Sequence, residues 1–421
     1  MRRSSNRTQR FAERSEPTEA RERLERRWAE RLVEEPRLAV MVTGEAARRE
    51  PIHRWLSYRQ GFSPALVRLF VKENPAIRRG DPSPPVLDPF SGSGTCVVEC
   101  ARQGVHALGV EVLRSLVFLT EAKFEREWPP LPELTDTSSW ERIAERLERP
   151  IHRAALMLAE ARRHTAEGKP NRGAKPVAET LADVAVMIGD DLRHPAALLN
   201  RAIVGDARRL SGIADESVSA ILTSPPYISR YDYARIADPI ERVYCFWHEE
   251  DSAAEAARPN AARLASDTVN RADADHLKSQ ISNKPAPEAV GSRSRIPKET
   301  AAGAEYAAEA VAEAAGALDA IGQAKSARIV RDYFRDMSQV LDECRRVMRP
   351  GGPAWFVVGG ARLKDVYVPA DLILAELADS SGFEVCALRV ARDLTASRRK
   401  FGRLGHVAPR ESVLVMRRTQ A

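Results

Sequence analysis

The sequence of 421 residues is poor in cysteine: only Cys96, Cys100, Cys245, Cys344 and Cys386 are present, and no pair has C-x-x-C spacing. That scatter argues against a disulfide frame or a thiolate zinc site and for a reducing compartment. No run of about 18 apolar residues occurs, and the basic amino end has no apolar h-region. Neither a membrane span nor a signal peptide is therefore expected, and the expected location is the cytoplasm. The sequence contains no G-x-x-x-x-G-K-[ST], and the position three after Gly94 is Val97 rather than the glycine of G-x-G-x-x-G. Both P-loop and dinucleotide readings fall. Charge of either sign is not in large excess: 65 Lys plus Arg against 59 Asp plus Glu leave a net +6. That permits a polyanionic partner without demanding one. Residues 249 to about 300 lack aromatics and are rich in Ala, Ser, Asn, Asp and Pro, as in a mobile connection.

What the sequence does have is two loops at strand ends. In V-L-D-P-F-S-G-S-G-T-C-V-V-E-C, Val86 and Leu87 close a strand, Gly92 and Gly94 make a turn, and residues 95–101 read as a helix. Glycine there lets backbone approach a ligand closely, with the helix amino end facing it. The second loop ends the apolar run Val218, Ala220, Ile221, Leu222 with T-S-P-P-Y at 223–227. Proline fixes φ and cannot donate to the ladder, so this strand stops in a rigid loop that is expected to hold Tyr227 exposed. Ser224 Oγ and the Pro225 carbonyl are two acceptors able to grip an exocyclic amino group, with Tyr227 stacked on its ring. Base-on-aromatic stacking is worth roughly 1 to 3 kcal/mol.

The rest of the chain alternates strands with helical patterns. Residues 17–34 read as a charged helix with Leu24, Trp28 and Leu32 on one face, and Ser63 before Pro64 reads as the N-cap of a helix carrying Leu66, Leu69 and Phe70. Residues 106–111 read as a strand ended by Glu111, about 20 positions past the glycine loop, where an acid accepts ribose hydroxyls. A third strand, 202–206, ends at Asp206. Residues 113–201 are too long for one crossover, and Ile143, Leu147, Ile151, Ala155 and Leu158 at helical spacing predict a helical insertion. After T-S-P-P-Y, Arg230 and Tyr231 lie in an aromatic and arginine run suited to nucleic acid. Helical spacing resumes over 307–348, followed by the strand A-W-F-V-V-G and a closing antiparallel pair, 385–390 and 412–416. The loop joining that pair carries Arg398, Arg399, Lys400 and Arg403 around Phe401, a phosphate-contacting composition. Seven strands alternating with helices predict an α/β fold with a doubly wound, mostly parallel sheet and helical insertions.

D-P-F-S-G-S-G-T followed by T-S-P-P-Y resembles the S-adenosylmethionine-dependent methyltransferases that modify amino groups of DNA bases. The resemblance covers roughly 51–112, 202–248 and 325–421, and it implies the class I methyltransferase fold. On this division, 1–50 form a basic arm, 113–201 a helical insertion and 249–324 a flexible or helical insertion. It further implies S-adenosylmethionine as cofactor, contacted by Asp88, Phe90, Gly92, Gly94, Thr95 and Glu111. Phe62 and Ser63 of G-F-S-P-A-L-V are then expected to close over its methionine end, and Asp206 to meet the adenine amino group. The implied catalytic loop is Ser224, Pro225, Pro226 and Tyr227, and the implied partners are DNA with a flipped base and a cognate restriction endonuclease. No metal is required. Serine in first position resembles the cytosine-N4 enzymes; adenine N6 and RNA amino groups remain open, and a non-catalytic adaptor is disfavoured by two intact loops. Ring-carbon methylation, whose family uses a Pro-Cys dipeptide, is not expected on this sequence because no cysteine follows a proline.

Overall fold

The structure, a computed structural model, describes residues 19–56, 61–77, 84–165, 169–228, 233–248, 300–364, 366–394 and 409–420. Three segments of the main sheet without polar alternation become strands in which every residue is buried: β2 (Val86–Asp88), β5 (Ala220–Thr223) and β6 (Pro353–Gly359), numbered within the full set below. Burial of both faces is what such runs require, because a parallel strand is covered by helices above and below. The other strands are β1 (Leu32–Glu34), β3 (Ala107–Glu111), β4 (Arg201–Val204), β7 (Ala361–Leu363), β8 (Val366–Val368), β9 (Phe383–Asp393) and β10 (Arg410–Arg418). The main sheet runs β1-β9-β10-β6-β5-β2-β3-β4, and β7 and β8 pair with each other in a separate ribbon. All neighbours in the main sheet are parallel except β10, which is antiparallel to both β6 and β9.

Alternate side chains of the central strands feed two cores. Leu87, Ile221, Phe356 and Val358 face one side, where they pack with α1 (Glu19–Trp28), α9 (Thr300–Ala320), α10 (Ala324–Val347) and α11 (Ala370–Ser380). Val86, Ala220, Leu222, Trp355 and Val357 face the other side, against α2 (Pro64–Glu73) and α3 (Thr95–Arg102). Cys96 and Cys100 are small members of that second core. Between β3 and β4 the chain forms α4 (Arg114–Ala122), α5 (Trp140–Ala144), α6 (Pro150–Arg162) and α7 (Val177–Asp191). With α8 (Tyr233–Trp247) they bury a third cluster that includes Leu119, Ile143, Leu158, Leu181 and Val243.

The sheet corrects the expected strand count: among the described residues it has eight strands, not seven. The additional strand is β1, in the segment read as the end of the amino-terminal helix. That helix stops at Trp28, and Leu32 is extended at φ −76° and ψ 118°. The reason is long-range: β9 would otherwise present unpaired backbone, and β1 satisfies it with the register Leu32↔Leu388, extended by the Glu35 amide on the Val390 carbonyl at 2.8 Å. Likewise the single helical stretch read over 307–348 is two helices separated by a turn at Ile321–Gln323, where Gly322 has φ +73°. The expected mobile connection from 249 to about 300 falls, up to residue 299, outside the described residues.

Candidate active site

Strand order reverses at β2, which pairs with β3 on one side and β5 on the other. In an open parallel sheet the crevice beyond the carboxyl ends at such a switch point is the ligand site. The glycine loop leaves β2 and the T-S-P-P-Y loop leaves β5, and both open on one cleft. Its lining includes Phe62, Asp88, Phe90, Gly92, Thr95 and Glu111 together with Ser224 and Pro226.

The glycine loop is held from three sides. Gly92 and Gly94 have φ +51° and +80°, and a Cβ on Gly94 would lie 2.5 Å from Thr120 Cγ2, so this turn admits only glycine without strain. Gly94 stands at the N-cap of α3, leaving the amides of the first turn without helical acceptors at the cleft. Glu111, at the end of β3, accepts the Gly92 amide at 2.8 Å and the Leu113 amide at 3.0 Å. Beneath the loop, the buried Lys123 donates to the Ser93 carbonyl at 2.5 Å, and burial pulls its ammonium down to about 8. Asp88 is buried between the two loops, accepting from Thr223 Oγ1 at 2.6 Å and from the Phe90 amide at 3.1 Å. Burial raises its carboxyl to about 7; those two hydrogen bonds oppose the shift and the Glu111 charge adds to it.

Three sequence expectations meet a different geometry. Tyr227 is not exposed: it is 9% accessible, and its hydroxyl donates to Glu411 Oε1 at 2.8 Å. The loop turns the ring back onto the sheet because Gly359 leaves it room, a Cβ there falling 2.7 Å from Tyr227 Cε2. Asp206 does not line the cleft, where its neighbour Ala207 stands instead. Its carboxylate is held by Arg208, with Nη2 at 2.7 Å and Nε at 3.1 Å, and Arg208 reaches on to Asp336. Ser63 occupies the N-cap of α2 but makes no cap: its amide donates to the Met41 carbonyl at 2.7 Å, and its buried Oγ has no hydrogen-bond partner among the described residues. Pro64 at the first helical position costs the helix no hydrogen bond, since the amide it lacks would have no helical acceptor. Phe62, by contrast, does line the cleft. Arg230, Tyr231, Arg398, Arg399, Lys400 and Arg403 lie outside the described residues.

Sequence reasoning missed Lys123, Glu411 and Arg392. A lone lysine at a helix end and a Glu-Ser pair at a strand start carry no local signal; their roles exist only through partners at Ser93 and Tyr227.

The donor set fits S-adenosylmethionine. Glu111 offers carboxylate lone pairs for ribose hydroxyls, Phe62, Phe90, Val110 and Leu113 offer apolar walls for an adenine ring, and the amino end of α3 offers amides for a carboxylate. No helix of the described residues is long and apolar enough to cross a membrane.

No family model matches the chain. The type II methyltransferase M.BsoBI of Geobacillus stearothermophilus is 22% identical over 457 residues, covering 89% of this chain and 87% of that protein. The type II methyltransferase M.AvaI of Nostoc sp. is 22% identical over 421 residues, 82% of each. A shorter likeness, 30% over 89 residues, spans 21% of this chain and 16% of the type II methyltransferase M.MjaII of Methanocaldococcus jannaschii. Among solved structures, a SAM-dependent methyltransferase from Methanosarcina mazei is similar at 11% identity over 81% of this chain and 95% of that one, with a TM-score of 0.31. The sheet order, with β10 antiparallel between β9 and β6, carries the fold.

Proposed function

We propose that this chain, an S-adenosylmethionine-dependent DNA methyltransferase of the class I fold, methylates the exocyclic N4 of cytosine within a specific sequence. The observation that supports the amino-group reading is that Ser224 and Pro226 line the same cleft as Gly92, Phe62 and Glu111, so a base held by the T-S-P-P-Y loop meets the cofactor's place directly.

Bound S-adenosylmethionine supplies an electrophilic methyl carbon. The chain's task is to bring the amino nitrogen up to it with its lone pair drawn out of conjugation with the ring. Two acceptors on the two amino hydrogens do this, and on this reading they are Ser224 Oγ and the Pro225 carbonyl. The new N–C bond forms as the S–C bond breaks, and one amino proton leaves through these acceptors to solvent. A strong base is not needed, because the nitrogen becomes acidic only once methylated. Tyr227, buried against Gly359, supports the Ser224 and Pro225 acceptors from behind. Serine, being short, favours the shallower approach of cytosine N4 over the longer arm an Asp or Asn would give adenine N6. A cognate endonuclease recognising the same sequence is the proposed partner, in keeping with relatives named type II methyltransferases.

Nucleoside mass spectrometry of DNA from a host expressing the protein tests the reading, with N4-methylcytosine expected. N6-methyladenine as sole modified base would overturn the choice of cytosine. Unmodified DNA beside methylated tRNA would overturn the DNA substrate.

A further inference from the structure

Tyr227 rests on a row of three residues from three adjacent strands. Gly359 ends β6, Glu411 stands at the start of β10, and Arg392 lies at the end of β9; Glu411 is the direct cross-strand partner of both. Each makes a different contribution. Gly359 supplies space, since a Cβ there would come within 2.7 Å of the tyrosine ring and 3.1 Å of Leu394. Glu411, 3% accessible, accepts the Tyr227 hydroxyl on Oε1 at 2.8 Å. Arg392 Nε donates to Oε2 of the same carboxylate at 2.5 Å. The β9–β10 pairing shifts register between Glu411 and Ser412. Such bulges sit beside functional sites and re-aim one side chain out of the ladder.

We propose that Glu411, oriented by Arg392, is a positioning residue for methyl transfer: it fixes Tyr227 through its hydroxyl and thereby holds the Ser224 and Pro225 acceptors at the mouth of the cofactor cleft. This rests on the reading of the T-S-P-P-Y loop as catalytic. The physical reason lies in the two prolines. Pro225 and Pro226 contribute no amide to any ladder, so the side chain of Tyr227 is the anchor that follows β5. A buried hydroxyl-to-carboxylate bond is short, directional and costly to leave unmade.

Two measurements on Tyr227→Phe, Glu411→Ala and the double variant test it. Hydrogen exchange of a peptide spanning 223–228 should quicken about tenfold in each variant, as removal of one buried hydrogen bond implies, with peptides from β2 unchanged. Methylation of an oligonucleotide should show kcat down about tenfold or more at unaltered cofactor affinity, and the double variant should be no worse than either single one. Gly359→Ala, which leaves both bonding partners intact but evicts the ring, should reproduce the fall in kcat. Wild-type exchange in Tyr227→Phe overturns the proposal, as does faster exchange with wild-type kcat. A wild-type protein that methylates no DNA would instead overturn the enzymatic reading, while the exchange experiment would still decide whether Glu411 anchors the loop.

Discussion

Glu111 ties two loops together at once, one carboxylate oxygen on the Gly92 amide and the other on the Leu113 amide. A carboxylate oxygen accepts more than one hydrogen bond, so ribose hydroxyls can bind a group already aimed by the backbone. The cofactor would therefore meet a prepared acceptor. Glu111→Gln should forfeit one of the two backbone bonds, since an amide has a single acceptor oxygen. Calorimetry should show S-adenosylmethionine affinity reduced about tenfold or more. Wild-type affinity in that variant would remove Glu111 from the cofactor site.

Gly92 gives a sharper test of the same cleft. At φ +51° a β-branched residue is strained, and its side chain would stand where backbone faces the ligand. Gly92→Val should fold, as judged by circular dichroism, and bind no cofactor. A folded variant with unchanged affinity would contradict the assignment of the glycine loop.

Ser224→Ala separates chemistry from binding. It removes an acceptor that acts at the transition state, so kcat should fall about a hundredfold, by analogy with removal of one oxyanion-hole donor, while cofactor affinity stays. A fully active variant would exclude the acceptor mechanism.

Asp88 predicts a pH dependence of stability. Its carboxyl is raised to about 7 in the fold, against about 3.9 for an unperturbed Asp. Between those values the folded chain holds a proton that the unfolded chain has released, so this group's contribution is greatest below pH of about 4 and is lost as pH rises to 7. Asp88→Asn keeps an acceptor for Thr223 and Phe90 but cannot ionise. Urea midpoints at pH of about 5 and about 7.5 should differ less in the variant than in wild type. An equal difference in both would place the titration elsewhere.

The proposed phosphate contact of the basic segment 392–410 is tested by salt. Alanine at Arg398, Arg399, Lys400 and Arg403 together should lower the slope of log affinity against log salt by about 0.9 for each duplex phosphate the loop no longer neutralises. An unchanged slope and affinity would make the loop a solvated hairpin tip.

Much of the fold could be read from local pattern. The short apolar stretches at 86–87, 220–222 and 354–358 marked central strands, and the loops that follow the first two marked the site, because burial on two faces leaves a direct imprint on composition. What escaped has no local imprint. Leu32 continues a helical stripe with Leu24 and Trp28, yet joins a strand because the β9 edge needs a partner. Tyr227 follows two prolines, as an exposed aromatic would, yet turns inward because a glycine more than a hundred positions later leaves a hollow. Asp206 reads as the end of a strand beside the cleft, yet β4 stops at Val204 and Arg208, the next residue but one, captures the carboxylate. In each case an interaction formed at long range, or by a flexible cation, outweighed the local preference.

The placement of β1 and α1 also bears on how the molecule can be made. Glu25 of α1 forms its ion pair with Arg410, 385 positions away, and β1 docks on β9, which is joined to the rest of the sheet only through β10 among the described residues. The amino-terminal elements are therefore made long before β10, the strand that joins their β9 partner to the rest of the sheet. Until then Leu24 and Trp28 can pack only on α9 and α11, which are not yet held by the completed sheet. Pairings of such separation make folding slow and expose the waiting strand edge to other chains. A nascent chain stalled before residue 410 should accordingly be cut faster by protease at β1 than one that includes β10.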